Sequence, residues 1–141
     1  ENDDMKNVKT EAKPSVKIKR WCENYPAERP PRFLRAFMLY ILTQGPRHGF
    51  KIIEALQDMG IKYEDVGDFG YIYKTLNAME KDHLIVSSCD INDKGRGNYK
   101  KIYTLTDKGK AELKLWIVSL TNLKESLESF LHACKNIQES L

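Results

Sequence analysis

Leu113, Leu120, Leu127, Cys134 and Leu141 stand seven residues apart, and Trp116, Leu123, Phe130 and Ile137 fall between them at the same interval. Four heptads with apolar a and d positions specify one amphipathic helix. At 1.5 Å per residue it runs roughly 45 Å, longer than a small domain is wide. One part of its stripe can cover the domain it grows from. The rest must be buried elsewhere, most simply on a symmetric copy of the chain. Ile117 and Leu131 widen the stripe, and the e and g positions lack the alternating charges of a zipper. Packing against additional helices is therefore expected.

The preceding segment carries three shorter periodic stretches. Phe33, Leu34, Phe37, Met38, Ile41 and Leu42 predict a helix from about Arg32 that stops at Gln44-Gly45-Pro46. A second helix from about His48 buries Phe50, Ile52, Ile53, Leu56 and Met59, and Gly60 stands where a left-handed cap is wanted. A third, capped by Asp68, turns Ile72, Leu76 and Met79 inward and runs out near His83. Leu84 to Asp90 and Tyr99 to Leu105 then read as two strands around the turn-rich Asn92–Asn98 segment. Thr106-Asp107 caps the long last helix. The expected fold is mainly α with a small β-hairpin wing: a winged helix-turn-helix plus a long C-terminal dimerisation helix. The domains divide as an arm over 1–31, the winged domain over 32–105 and the dimer helix over 106–141.

Composition excludes several alternatives. The chain has 141 residues, 41% of them hydrophobic and 30% charged, enough for one modest core. No apolar run approaches the length of a membrane span, and no apolar segment follows a charged start, so no secretory leader is expected. Cys22, Cys89 and Cys134 are widely spaced and form no CxxC pair, which argues against a zinc ribbon or a disulfide framework. A reducing, cytoplasmic compartment fits them. His48, His83 and His132 are scattered, and no HExxH, GxSxG or phosphate loop occurs. No enzyme activity, cofactor or metal is expected. The net charge of +3 says little, but residues 5–35 hold nine bases against three acids while 106–141 is balanced.

The third helix and the hairpin together suit double-stranded DNA. A helix fits the major groove and meets base edges with its outward side chains. Here those are Tyr71, Lys74, Thr75 and Ala78, with Tyr73 beside the inner stripe. Thr75 has a hydroxyl and a methyl for bases, Lys74 a charge for guanine or phosphate, and Tyr71 a hydroxyl for phosphate. Lys94, Arg96, Lys100 and Lys101 oppose the single Asp93 at the hairpin, where a glycine-rich tip can lie on the phosphate backbone and release counterions. The plainer reading makes these a solvated helix face and a soluble turn. Their joint occurrence carries the weight. The basic arm is open to three readings: a groove-following segment, a solubilising tail, or an arm docked on the last helix through Ile18 and Trp21.

Three blocks resemble one family. Gly45-Pro46-Arg47-His48-Gly49-Phe50-Lys51-Ile52-Ile53-Glu54-Ala55-Leu56 is similar to the GPxHGYELIxxL opening of the PadR-like transcriptional regulators. Tyr73-Lys74-Thr75-Leu76-Asn77-Ala78-Met79-Glu80-Lys81-Asp82-His83-Leu84-Ile85 resembles their YRxLxxLEexGLI. Lys101-Ile102-Tyr103-Thr104-Leu105-Thr106-Asp107-Lys108-Gly109 resembles RxYxLTxxG. The blocks come in order and cover about residues 32–120. The Pro-Arg-Phe-Leu-Arg lead-in is also similar to the branch of polyhydroxybutyrate-responsive repressors. Two positions depart from the pattern: Tyr71 stands where the family has Ser or Thr, and His83 where it has the Gly that ends the third helix.

The resemblance implies a homodimeric repressor on an inverted-repeat operator. Its dimer would form through the last helix, here Leu113, Trp116, Leu120, Leu123, Leu127, Phe130, Cys134 and Ile137. It also implies release by a small aromatic compound or metabolite near that interface, for which Trp116 and Phe130 are the stacking candidates, though aromatics at d positions more often serve as core packing. The competing function is a winged-helix adaptor that binds protein without reading DNA, since fold alone does not fix function.

Overall fold

The structure is a computed structural model and describes residues 33–61, 69–90 and 101–141. The arm, the Asp68 cap, the hairpin tip with Lys94 and Arg96, and Lys100 lie outside the described residues.

Helix α1 spans Leu34–Leu42 and buries Leu34, Ala36, Met38, Leu39, Ile41 and Leu42. It begins two residues after the expected start. Gly45, at φ 125°, turns the chain into β1, Arg47–His48. This strand was not anticipated, because two residues are too few to show an alternation. Helix α2 spans Gly49–Asp58 and turns Ile52, Ile53, Ala55 and Leu56 inward. Phe50, expected on the buried face, is instead 39% exposed, because at 100° per residue it falls well round the helix from Ile52 and Leu56. It ends as its sequence requires: Gly60 adopts φ 105°, its N–H meets the Gln57 carbonyl (3.0 Å), and the Ile61 N–H meets that of Leu56 (3.0 Å). That pair of bonds is the Schellman closure, with two apolar side chains at its ends.

Helix α3 spans Phe69–Lys81, β2 Ile85–Cys89 and β3 Lys101–Leu105. The sheet order is β1-β3-β2, antiparallel throughout, with Ile85 opposite Leu105, Cys89 opposite Lys101, and Arg47 opposite Tyr103. Met38, Leu39, Ile41, Ile52, Leu56, Leu76, Met79, Leu84 and Ile85 are fully buried and lock α1, α2, α3 and β2 around one core. Each such side chain contributes about 1.5–3 kcal/mol by leaving water. The result is a winged helix-turn-helix.

Helix α4 spans Asp107–Lys135, followed by a 3-10 turn over Gln138–Ser140. Thr106 does two jobs at its start. Its hydroxyl accepts the Gly109 N–H (3.0 Å) and shares its one proton between the carbonyls of His83 (2.7 Å) and Leu84 (2.9 Å). The cap that starts α4 is thus also a clamp on the end of α3. A Cβ at Gly109 would overlap the Leu84 carbonyl oxygen, so this close seating requires glycine.

Candidate nucleic-acid interface

Helix α3 presents its outward face with one flank held. On one flank Glu80 accepts a hydrogen bond from the Ser87 hydroxyl of β2 (2.6 Å). On the same flank the Tyr73 ring lies against Gly49, where an added Cβ would stand 2.7 Å from Cε1. The glycine of the His-Gly pair therefore makes room for the tyrosine of the third helix. Burial raises the Tyr73 pKa above its usual value. Burial, with the nearby Glu80 carboxylate and Tyr73, also raises that of Tyr103, so both rings stay protonated at neutral pH.

Ile72, Leu76 and Met79 point into the core, and at 100° per residue Lys74, Asn77, Ala78 and Lys81 lie farthest round from them. All four are exposed, as are Tyr71 and Tyr73. Thr75 is half-buried, and its hydroxyl donates to the Tyr71 carbonyl of its own helix (2.9 Å). That proton is committed, which leaves Thr75 a methyl and lone pairs to offer a base. Asn77 and Lys81 complete the face and were missing from the sequence-based set. Their spacing from Lys74, three and seven residues, was the signal for them. An exposed amide on such a face suits adenine, and a lysine suits guanine or phosphate.

At the base of the wing His48 Nε2 lies 2.8 Å from Asp90 Oδ2. That contact ties the first residues of the helix-turn-helix to the strand that feeds the hairpin. Lys101 is exposed beside it on β3. The His48 ring also leans on Phe50, with centroids 5.5 Å apart.

The candidate dimer residues separate into two sets. Leu113 and Trp116 pack against the domain's own core, Trp116 edge-on to Phe33 at 6.0 Å. Leu120 and Cys134 are half-buried. Leu123, Leu127, Phe130 and Ile137 are exposed, Leu127 by 47% and Phe130 by 62%. A cavity of about 310 Å³ opens between Arg35 of α1, Trp116 of α4 and Tyr71, Lys74, Thr75 and Ala78 of α3. Phe130 does not line it, so the two stacking candidates do not meet there.

Among the described residues no helix is long and apolar enough to cross a membrane, and no group of three His, Cys, Asp or Glu is placed to hold a metal ion.

The architecture recurs in solved proteins. A PadR family transcription regulator from hypervirulent Clostridium difficile R20291 is 25% identical, covers 70% of this chain and 98% of its own, and superposes with a TM-score of 0.58. A PadR-like regulator from Bacillus cereus is 27% identical over 70% of this chain and 91% of its own, at 0.58. Bacillus subtilis PadR, solved in complex with operator DNA, is 28% identical over 62% of this chain, at 0.51. That match spans 48% of the Bacillus subtilis protein, about half its length. No functionally curated protein matches the chain. The model of the PadR-like family of transcriptional regulators matches residues 38–115, more than half of the sequence, and the chain belongs to that family.

Proposed function

We propose that this protein is a cytoplasmic, sequence-specific DNA-binding repressor that acts as a homodimer on a palindromic operator. The outward face of α3 carries the reading. Lys74, Asn77, Ala78 and Lys81 are exposed on a helix whose inner stripe is locked into the core and whose flank is pinned to β2. In this reading α3 enters the major groove and Tyr71 and Tyr73 border its contact. Lys94, Arg96, Lys100 and Lys101 lie along the backbone. The similarity to a PadR solved on operator DNA supports this assignment.

The divisions proposed are the arm over 1–31, the reading domain over 32–105 and the dimer helix over 106–141. The dimer seam is the distal part of α4. Leu123, Leu127 and Phe130 stand exposed at heptad spacing on the helix, with Ile137 exposed just past its end, which is what an unpaired half of a helical interface presents. Pairing there sets two copies of α3 about one DNA turn, roughly 34 Å, apart. The cavity lined by Trp116 is the place for a small effector. A ligand there touches the reading flank directly and shifts the protein to a state that misfits the operator.

The deciding experiment is selection of bound duplexes from a random pool, followed by affinity measurement on the recovered site. A palindrome should emerge. Lys74→Ala and Asn77→Ala should each weaken binding about tenfold or more. Failure to enrich any sequence, with α4 still pairing, would favour the protein-binding adaptor.

A further inference from the structure

We propose that Arg35 is a positioning residue. It fixes the angle between the reading helix α3 and the dimer helix α4, and thereby the separation of the two reading heads. This rests on the dimeric repressor reading above.

Helix α4 packs chiefly on α1 rather than on α3. At their shared corner, α3 and α4 are joined by the Thr106 clamp on His83 and Leu84. Past that corner the cavity of about 310 Å³ separates the α3 flank from Trp116, so apolar packing does not set the angle there. Arg35 spans the gap from α1. Its Nη2 lies 2.7 Å from Asp82 Oδ2 at the end of α3, and its Nε lies 3.4 Å from Glu112 Oε2 of α4. Glu112 also accepts the Trp116 indole N–H at 3.3 Å. One guanidinium thus meets a carboxylate from each helix through two different nitrogens, which the single nitrogen of a lysine ammonium does not reproduce.

The two limbs differ. The Asp82 limb is a short hydrogen bond, whereas among the described residues Nε makes no hydrogen bond and meets Glu112 only as a charge. The Glu112 limb is therefore the compliant one. The side chains are 30%, 52% and 30% exposed for Arg35, Asp82 and Glu112. Ion pairs so wet add little to stability. Their effect should show in the geometry between helices rather than in the melting temperature.

The test uses the full chain and the selected operator, remade with the half-sites moved apart or together by one and two base pairs. Each added pair moves a half-site by about 3.4 Å and turns it around the duplex. Wild type should prefer one spacing over its neighbours by about tenfold or more. Arg35→Ala and Glu112→Gln should reduce that preference to about threefold or less, with melting within a few degrees of wild type, and Arg35→Lys should fall between. If Arg35→Ala fails to fold, Glu112→Gln and Asp82→Asn carry the test. A profile that keeps its shape while affinity drops equally at every spacing overturns the strut and makes Arg35 a backbone contact. An unchanged profile overturns it as well. Wild type that binds no duplex, or binds all spacings alike, defeats the dimeric repressor reading itself, and the strut with it.

Discussion

His83 sits at φ 64°, in the left-handed region, as the C′ residue of α3. Its N–H meets the Glu80 carbonyl (2.9 Å) and the next N–H, of Leu84, meets Met79 (2.9 Å), so the helix closes as it would with glycine there. The strain of a non-glycine residue in this region is about 1–2 kcal/mol, and glycine's extra freedom in the unfolded chain costs back about 0.5–1. His83→Gly should therefore stabilise the fold by about 0.5–1 kcal/mol in urea denaturation, and a loss of stability would contradict the account. Gly109→Ala should do the reverse. Alanine gains about 1 kcal/mol of helix propensity, but its Cβ meets the Leu84 carbonyl, which Thr106 already holds in place. A net loss on the order of 2 kcal/mol is expected.

Asp82 supplies a pH signature. The Arg35 hydrogen bond, before weaker contributions from Lys108 and His83, holds its carboxyl below the ordinary 3.8. The folded pKa is depressed, so this contribution is present above that ordinary value and disappears as pH falls through the lowered one. Carboxyl titration by NMR should place the Asp82 midpoint lower in wild type than in Arg35→Ala. These residue-scale facts were half legible. The Gly-Pro-x-His-Gly and Leu-Thr-x-x-Gly runs were visible as motifs. That Gly49 makes room for Tyr73, and Gly109 for Leu84, needed the packing of residues distant in sequence.

The helices were the legible elements, because each buries a stripe at its own period. Strand β1 escaped notice, since its place comes from pairing with Tyr103 and Ile102 rather than from anything local. On α3 the expected outward face is exposed at Tyr71, Lys74 and Ala78 and half-buried at Thr75, and it runs further than expected. Asn77 and Lys81 belong to it by the same spacing that gave Lys74 and Ala78. The heptad stripe of α4 was legible too, but periodicity alone did not divide it. Leu113 and Trp116 pack on the chain's own core, while Leu123 to Ile137 stay exposed. That division predicts that Leu127→Glu with Phe130→Glu separates the dimer into folded monomers. Sedimentation at micromolar concentration should show half the wild-type mass with an unchanged far-ultraviolet helix signal. A dimer that survives both charges would place the seam elsewhere.

For the whole molecule, affinity and pairing should be inseparable. In the proposed dimer two copies each supply a third helix and a basic hairpin, so binding should weaken steeply with salt, log K falling by about 0.9 per neutralised phosphate for each tenfold rise in salt. A monomeric variant should lose about half of that slope along with most of its affinity. Buried Arg47, 3% exposed and with Nε and Nη2 unbonded among the described residues, is a separate matter of stability. Exchanging it for methionine should hold or raise stability, since a buried polar group without a partner costs about 1–3 kcal/mol. The most direct test of the central claim is the number of chains bound per selected duplex, measured by sedimentation with wild type and with Lys74→Ala/Asn77→Ala. Two wild-type chains on one palindrome, and none of the variant at the same concentration, is the predicted result. A single chain per duplex, or a variant that binds as wild type does, would contradict it.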